Sequence, residues 1–95
     1  MNKEQILDKI EQWPHTEDFS KLMDYVCEAW EGNYGKIEIT KDNDYIYYRL
    51  VTGGWSENEY IIEALMDNRL FWIKHWYQST RGGEYKFIFK KGVYK

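Results

Sequence analysis

Two short stretches of this 95-residue chain combine residue types and spacing suited to binding chemistry: Thr52-Gly53-Gly54-Trp55-Ser56 and Ser79-Thr80-Arg81-Gly82-Gly83. The first stands directly ahead of a helical pattern. A glycine-lined helix start turns several backbone N–H donors, in the positive end of the helix dipole, toward phosphate or carboxylate. The second carries a guanidinium, whose planar fork matches the same anions. With Arg49 near the end of a strand and the Trp55 ring beside the bend, the set suits an anionic ring compound such as a nucleotide. Neither the longer glycine loop with a lysine of nucleotide hydrolases nor a dinucleotide fingerprint is present.

The first stretch also has a reading that involves no ligand. Ser56 followed by Glu59 has the form of a capping box, and Trp55 and Tyr60 are spaced to close a hydrophobic staple. Gly53 and Gly54 then serve only to turn the chain at positive φ. Both readings stand at the level of sequence.

Catalytic chemistry finds little support. The two histidines, His15 and His75, fall on different elements, and His75 sits among Trp72, Trp76 and Tyr77, where a hydrogen-bonded structural role is expected. Glu57, Glu59 and Glu63 are accounted for by a helix start and a solvated face, since a general acid needs a neighbour or an apolar pocket to raise its pKa. Cys27 is the single cysteine, so no intramolecular disulfide forms and no multi-cysteine metal site exists. The expectation is a protein that is not an enzyme and uses neither metal nor cofactor.

Residues 3–13 place Ile6, Leu7, Ile10 and Trp13 at helical spacing, ended by Pro14. A second helix, expected to be capped by Thr16 with Glu17 and Asp18 in its first turn, carries the apolar stripe Phe19, Leu22, Met23, Val26, Cys27 and Trp30, and Gly32 is its expected stop. From Gly35 the period changes to two. A turn at Asp42-Asn43 predicts a hairpin pairing Ile39 with Ile46 and Ile37 with Tyr48, with Leu50 on the same face; Lys36, Glu38, Thr40, Tyr45, Tyr47 and Arg49 form the other face. A third helix follows the glycine bend, burying Ile61, Ile62, Leu65 and Met66. Residues 69–78 and 84–90 read as two further strands joined by residues 79–83, with Tyr77 facing Tyr85, His75 facing Phe87 and Ile73 facing Phe89. In that register Trp72, Lys74 and Trp76 oppose Lys90, Ile88 and Lys86, a surface of lysines over indoles.

The fold class predicted is α+β, of order ααββαββ: one domain over residues 1–95, with a four-stranded mixed sheet of two hairpins packed with helices. A parallel neighbour relation between the second and third strands, through a right-handed crossover, brings the two glycine loops to one edge.

The formal charge of −3 conceals an asymmetry: residues 1–68 hold 6 basic and 15 acidic side chains, and residues 69–95 hold 7 basic and 1 acidic. Packing of the two parts against each other, with partial cancellation, is the simpler expectation; a basic surface for an anionic partner is the sharper one. No apolar run is long enough to span a bilayer and the start is too polar for a secretory signal, so no membrane contact and a cytoplasmic location are expected. The aromatic content of 19% makes a homodimer through exposed rings a further expectation.

The segments TGGWSENEYIIEAL, FWIKHW and STRGGEYKFIF together resemble a group of small uncharacterised proteins of bacteriophages and prophages, which share a G-G-W-S turn, an N-E pair, an F-W…W strand and an R-G-G-x-Y-x-F hairpin. The similarity spans about residues 45–90. Glu84 stands where many members carry a histidine. The resemblance implies an accessory role against host defence in the host cytoplasm, by blocking a defence protein such as a CRISPR effector or by sequestering a nucleotide signal. The expected function is thus non-catalytic binding of a host protein. The alternatives are an anionic nucleotide held by Gly53, Gly54, Trp55, Ser56 and Arg81, and single-stranded nucleic acid on Trp72, Trp76, Lys86 and Lys90.

Overall fold

The computed structural model describes residues 2–14 and 18–91. Its elements run α1 (Lys3–Glu11), α2 (Phe19–Ala29), β1 (Lys36–Lys41), β2 (Tyr45–Val51), α3 (Ser56–Asp67), α4 (Arg69–His75), β3 (Trp76–Thr80) and β4 (Glu84–Lys90). The fold is α+β in the predicted order ααββαββ, with one helix more than the sequence suggested. No helix among the described residues is long and apolar enough to cross a membrane.

Asn2 and Gln5 close a reciprocal capping box at the start of α1. His15, Thr16 and Glu17, and with them the expected Thr16 cap, lie outside the described residues. Asp18 caps α2, its carboxylate accepting from the Ser20 N–H at 2.8 Å. The expected stripe of α2 is buried at Phe19, Leu22, Met23 and Val26, while Cys27 is half-buried. The helix ends at Ala29, because Trp30 is already extended, two residues before the expected stop at Gly32.

The sheet is antiparallel throughout, in the order β1-β2-β4-β3, and not mixed. The cause lies in residues 69–75, which form α4 where a strand was expected. Asn68 caps this helix through Phe71, and its amide also donates to the carbonyls of Ile10 and Trp13 at 3.0 and 3.2 Å. Phe71 and His75, one helical turn apart, then point together into the core. What remains for β3 is five residues with little to bury, so it takes the edge. The place beside β2 goes to β4, whose Tyr85, Phe87 and Phe89 alternate onto one face.

All four helices pack on that same face. The core joins Ile10 of α1, Phe19, Leu22, Met23 and Val26 of α2, Ile61, Ile62 and Leu65 of α3, and Phe71 of α4 to Tyr48, Leu50, Phe87 and Phe89 of the sheet. Aromatic rings bridge the layers: Phe71 meets Phe87 at 5.5 Å and Phe19 at 5.6 Å. Burial of these groups is the main stabilising term.

Candidate functional site

The β1–β2 hairpin sets the open face of the sheet. Ile37 pairs with Leu50 and Ile39 with Tyr48, two residues from the predicted register. The turn is Asn43-Asp44, because Asp42 folds back: its carboxylate accepts from the N–H groups of Asp44 and Tyr45 at 2.8 and 2.7 Å. A shift of two exchanges no faces. Lys36, Glu38, Thr40, Tyr45, Tyr47 and Arg49 therefore share the side that faces away from the helices, as expected. Paired with β2, the strand β4 adds Glu84, Lys86, Ile88 and Lys90 to that side.

One groove of about 340 Å³ lies on this face, lined by Tyr47 and Tyr77 with Glu38, Thr40, Arg49 and Lys86. Tyr77 reaches it because the β3–β4 register shifts between Trp76 and Gln78. The Tyr47 ring is braced: its hydroxyl donates to Asp42 at 3.1 Å, and desolvation together with this bond raises the phenol's pKa. The Tyr45 and Asp44 N–H donors, with smaller help from the Tyr47 hydroxyl and Lys91, lower that of Asp42. Arg49 lies in the floor between two carboxylates. Its Nη1 donates to Glu38 at 2.6 Å and its Nε donates to Glu84. The guanidinium holds the Glu84 carboxyl below the usual carboxylate range, aided by Thr80 and Lys86. Arg49 is thus the one residue of the expected site that lies in this groove, and its charge is already matched. Glu84, at the start of β4, supplies one of its two acidic partners.

The glycine bend and the hairpin tip are neighbours. The Thr52 N–H donates to the Gly83 carbonyl at 3.0 Å. Antiparallel pairing of β2 with β4 achieves this, since it sets the end of one strand beside the start of the other; no parallel crossover is needed. The glycines here answer to packing. A Cβ on Gly53, whose φ is +65°, would stand 1.6 Å from the Tyr34 carbonyl oxygen, and one on Gly83 would stand 2.3 Å from Thr52 Oγ1. Arg81 is exposed at the tip, in a three-residue turn shorter than the expected loop, because Ser79 and Thr80 belong to β3.

The predicted capping box at Ser56 does not form. Trp55 takes the cap position without a side-chain bond, and the N–H groups of Asn58 and Glu59 both donate to its carbonyl at 3.1 Å. The staple is absent too, for Trp55 stacks on Tyr34, with centroids 4.3 Å and planes 12° apart. Tyr60 instead lies under the Lys3 ammonium.

Trp72 and Trp76 do not share a strand face with lysines. Trp72 belongs to α4 and Trp76 opens β3 opposite Phe87, and the two rings stack at 5.8 Å on the helix side of the sheet. Lys86 and Lys90 point to the other side, among tyrosines. Of the facing pairs expected around Tyr85 and Phe87, neither forms, since Ser79 opposes Tyr85 and Trp76 opposes Phe87. His75 is buried, stacked on Phe89 at 3.9 Å, and donates from Nδ1 to the Ile88 carbonyl at 3.0 Å. Burial is the main cause that lowers its pKa.

Asn58 escaped the sequence reading. Fully buried in the first turn of α3, its Oδ1 accepts from the Glu31 N–H at 2.9 Å, and its amide donates to the carbonyls of Glu31 and Thr52, each at 3.2 Å. It clamps the loop after α2 to the glycine bend. No ion pair among the described residues joins an acid of residues 1–68 to a base of residues 69–95; the one pair across that boundary is Arg49 with Glu84. The charge asymmetry is therefore not consumed by direct pairing. Comparison with protein-family models, with curated proteins and with solved structures finds no match to this chain.

Proposed function

We propose that the protein is a non-catalytic binding protein that docks on another protein through the open face of its sheet. The observation that carries this reading is the one-sided layering: four helices on one face, and on the other Tyr47 and Tyr77 around a groove with a tethered arginine, with Tyr45 next to Tyr47. Tyrosine and arginine are the residues that anchor protein interfaces. Two cations, Arg49 and Lys86, and one carboxylate, Glu38, line the groove, and Glu84 closes on Arg49 from beside it, a balance that suits a protein surface better than a free polyphosphate. Following the resemblance to phage accessory proteins, the partner is a host defence factor in the bacterial cytoplasm, inhibited by being covered, as anti-CRISPR proteins act.

Affinity capture from a bacterial lysate, with quantitative mass spectrometry, tests this. A Tyr47→Ala/Tyr77→Ala variant loses the partner that wild type retains, whereas Trp55→Ala/Arg81→Ala keeps it, both variants being first matched to wild type by thermal unfolding. Equal capture by all three proteins would overturn the assignment to the open face.

A second reading is favoured by the Thr52–Gly83 hydrogen bond, which makes the two glycine loops neighbours. In it an anionic nucleotide binds at Gly53, Gly54, Trp55, Ser56 and Arg81. Titration calorimetry with a nucleotide pool decides between the two: heat that disappears in Arg81→Ala supports the rim, and its absence leaves protein docking.

A further inference from the structure

The floor of the open-face groove contains an imbalance of position that its net charge conceals. Glu38, Arg49 and Lys86 form a single row across β1, β2 and β4, so Arg49 and Lys86 stand directly opposite each other on adjacent strands. Like charges in that relation destabilise a sheet. Both nearby carboxylates close on Arg49, and Lys86 has no carboxylate within 4.0 Å among the described residues. Its field reaches Glu84 only from beyond that distance.

Arg49 is also directed. Of the guanidinium's five N–H groups, those engaged among the described residues are the one on Nε and one on Nη1. Its other donors are held in place by the two glutamates that orient the plane. A rigid guanidinium edge and an unmatched ammonium thus lie side by side between two phenol walls, with the Thr40 hydroxyl among the lining groups.

We infer that this groove is an anion site, and that the group it takes is a carboxylate on an acidic, aromatic-bearing segment of the docked protein. The inference rests on the docking reading above and names the chemistry of the partner. Charge selects the carboxylate. The open face carries Lys36, Arg49, Lys86 and Lys90 against Glu38, Glu84 and the Asp42 carboxylate bound by the Tyr47 hydroxyl, a positive surplus of one, with Lys36 and Lys90 at its margins. One singly charged group seated on Lys86, and oriented by the free N–H edge of Arg49, supplies the ammonium with the partner it lacks. A phosphate, with roughly −1.5 to −2 charges, would exceed what one unmatched ammonium beside Glu38 balances. An oligonucleotide would bring one such charge per residue, beyond what the three unpaired lysines of the face can match. The tyrosine walls leave room for a ring or methylene stem beside the carboxylate.

The test is a titration of the ¹⁵N-labelled full chain with four probes: a short peptide alternating glutamate and tyrosine, the same peptide with glutamine for glutamate, an oligo-dT strand, and inorganic phosphate. The glutamate peptide is expected to shift the amides of Tyr47, Tyr77 and Lys86 and to bind at least tenfold tighter than its glutamine counterpart. Lys86→Gln lowers that affinity about tenfold, and Lys86→Arg, which keeps the charge, restores most of it. Equal binding of the two peptides, shifts confined to other surfaces, or indifference to Lys86→Gln would overturn the site. Preference for oligo-dT or phosphate would overturn the carboxylate assignment. If every probe is silent while capture from lysate still depends on Tyr47 and Tyr77, the anion site fails and the docking surface stands; if capture is indifferent to those tyrosines, the docking reading itself fails.

Discussion

Thr52 and Gly83, the residues that follow β2 and precede β4, are joined by a backbone hydrogen bond of 3.0 Å, and the missing Cβ of Gly83 is the space that Thr52 Oγ1 occupies. The glycine bend and the arginine-bearing turn are therefore one packed unit. Its tolerance to substitution follows from which neighbour each glycine meets.

Gly53 and Gly54 both have positive φ, yet only Gly53 lies against backbone. Gly54→Ala is expected to cost about 1 kcal/mol, the strain of a left-handed alanine. Gly53→Ala must also displace the Tyr34 carbonyl and is expected to cost roughly 3 kcal/mol or more. Urea denaturation of the two variants measures the difference; equal losses would mean that the approach to Tyr34 does not hold the bend.

Asn58→Ala leaves the Glu31 N–H and two carbonyls without their buried partner. Unsatisfied buried groups of this kind cost roughly 2–4 kcal/mol in sum. The loss should appear in chemical denaturation, together with faster amide exchange at Glu31, because the clamp spans the loop and the bend.

His75 has a folded-state pKa depressed chiefly by burial, with Lys74 adding to the depression and Asp18 and the bond to Ile88 opposing it. The unfolded chain therefore binds a proton near pH 6.5 that the folded chain resists. The stability linked to this group is fully present above that pH and falls as the solution is acidified, by at most about 1.4 kcal/mol per pH unit. His75→Phe, which keeps a ring against Phe89, should flatten the stability profile between pH 7 and 5. An unchanged slope would assign the acid sensitivity elsewhere.

Glu84 titrates below the ordinary carboxylate range because it accepts from Arg49 and Thr80. Its contribution is present at neutral pH and lost as the pH falls through that depressed value. In Arg49→Gln the carboxyl ¹³C titration of Glu84 should move back up toward the ordinary range. A midpoint that does not move would mean the ion pair is not populated in solution.

Which parts of this were legible in the sequence follows from what each part depends on. The face membership of β1 and β2 was readable, since alternation alone decides it; the register was off by two because Asp42 pairs with Tyr45, through its backbone N–H and its carboxylate, and leaves Asn43-Asp44 as the turn. Neighbouring glycine loops were anticipated by a wrong route, as either strand order sets the end of β2 near residue 83. Residues 69–75 misled because aromatic and β-branched side chains favour strands in isolation. Asn68 reads as a helix end, and it is also the cap of the next helix, its Oδ1 accepting from the Phe71 N–H while its amide donates to the distant carbonyls of Ile10 and Trp13. Asn58 was invisible for a similar reason. A polar residue in a first turn reads as solvated, and its partners sit 27 positions earlier in the chain and six positions earlier in the bend.

With every helix on one side, the molecule divides its obligations between two surfaces. Stability is vested in the covered layer, where a lost methylene opens a void. Exchange of Thr40, Tyr45 or Lys86 on the bare layer removes no core volume. That face can thus be rewritten, in charge and in shape, by substitutions that leave the covered layer nearly untouched.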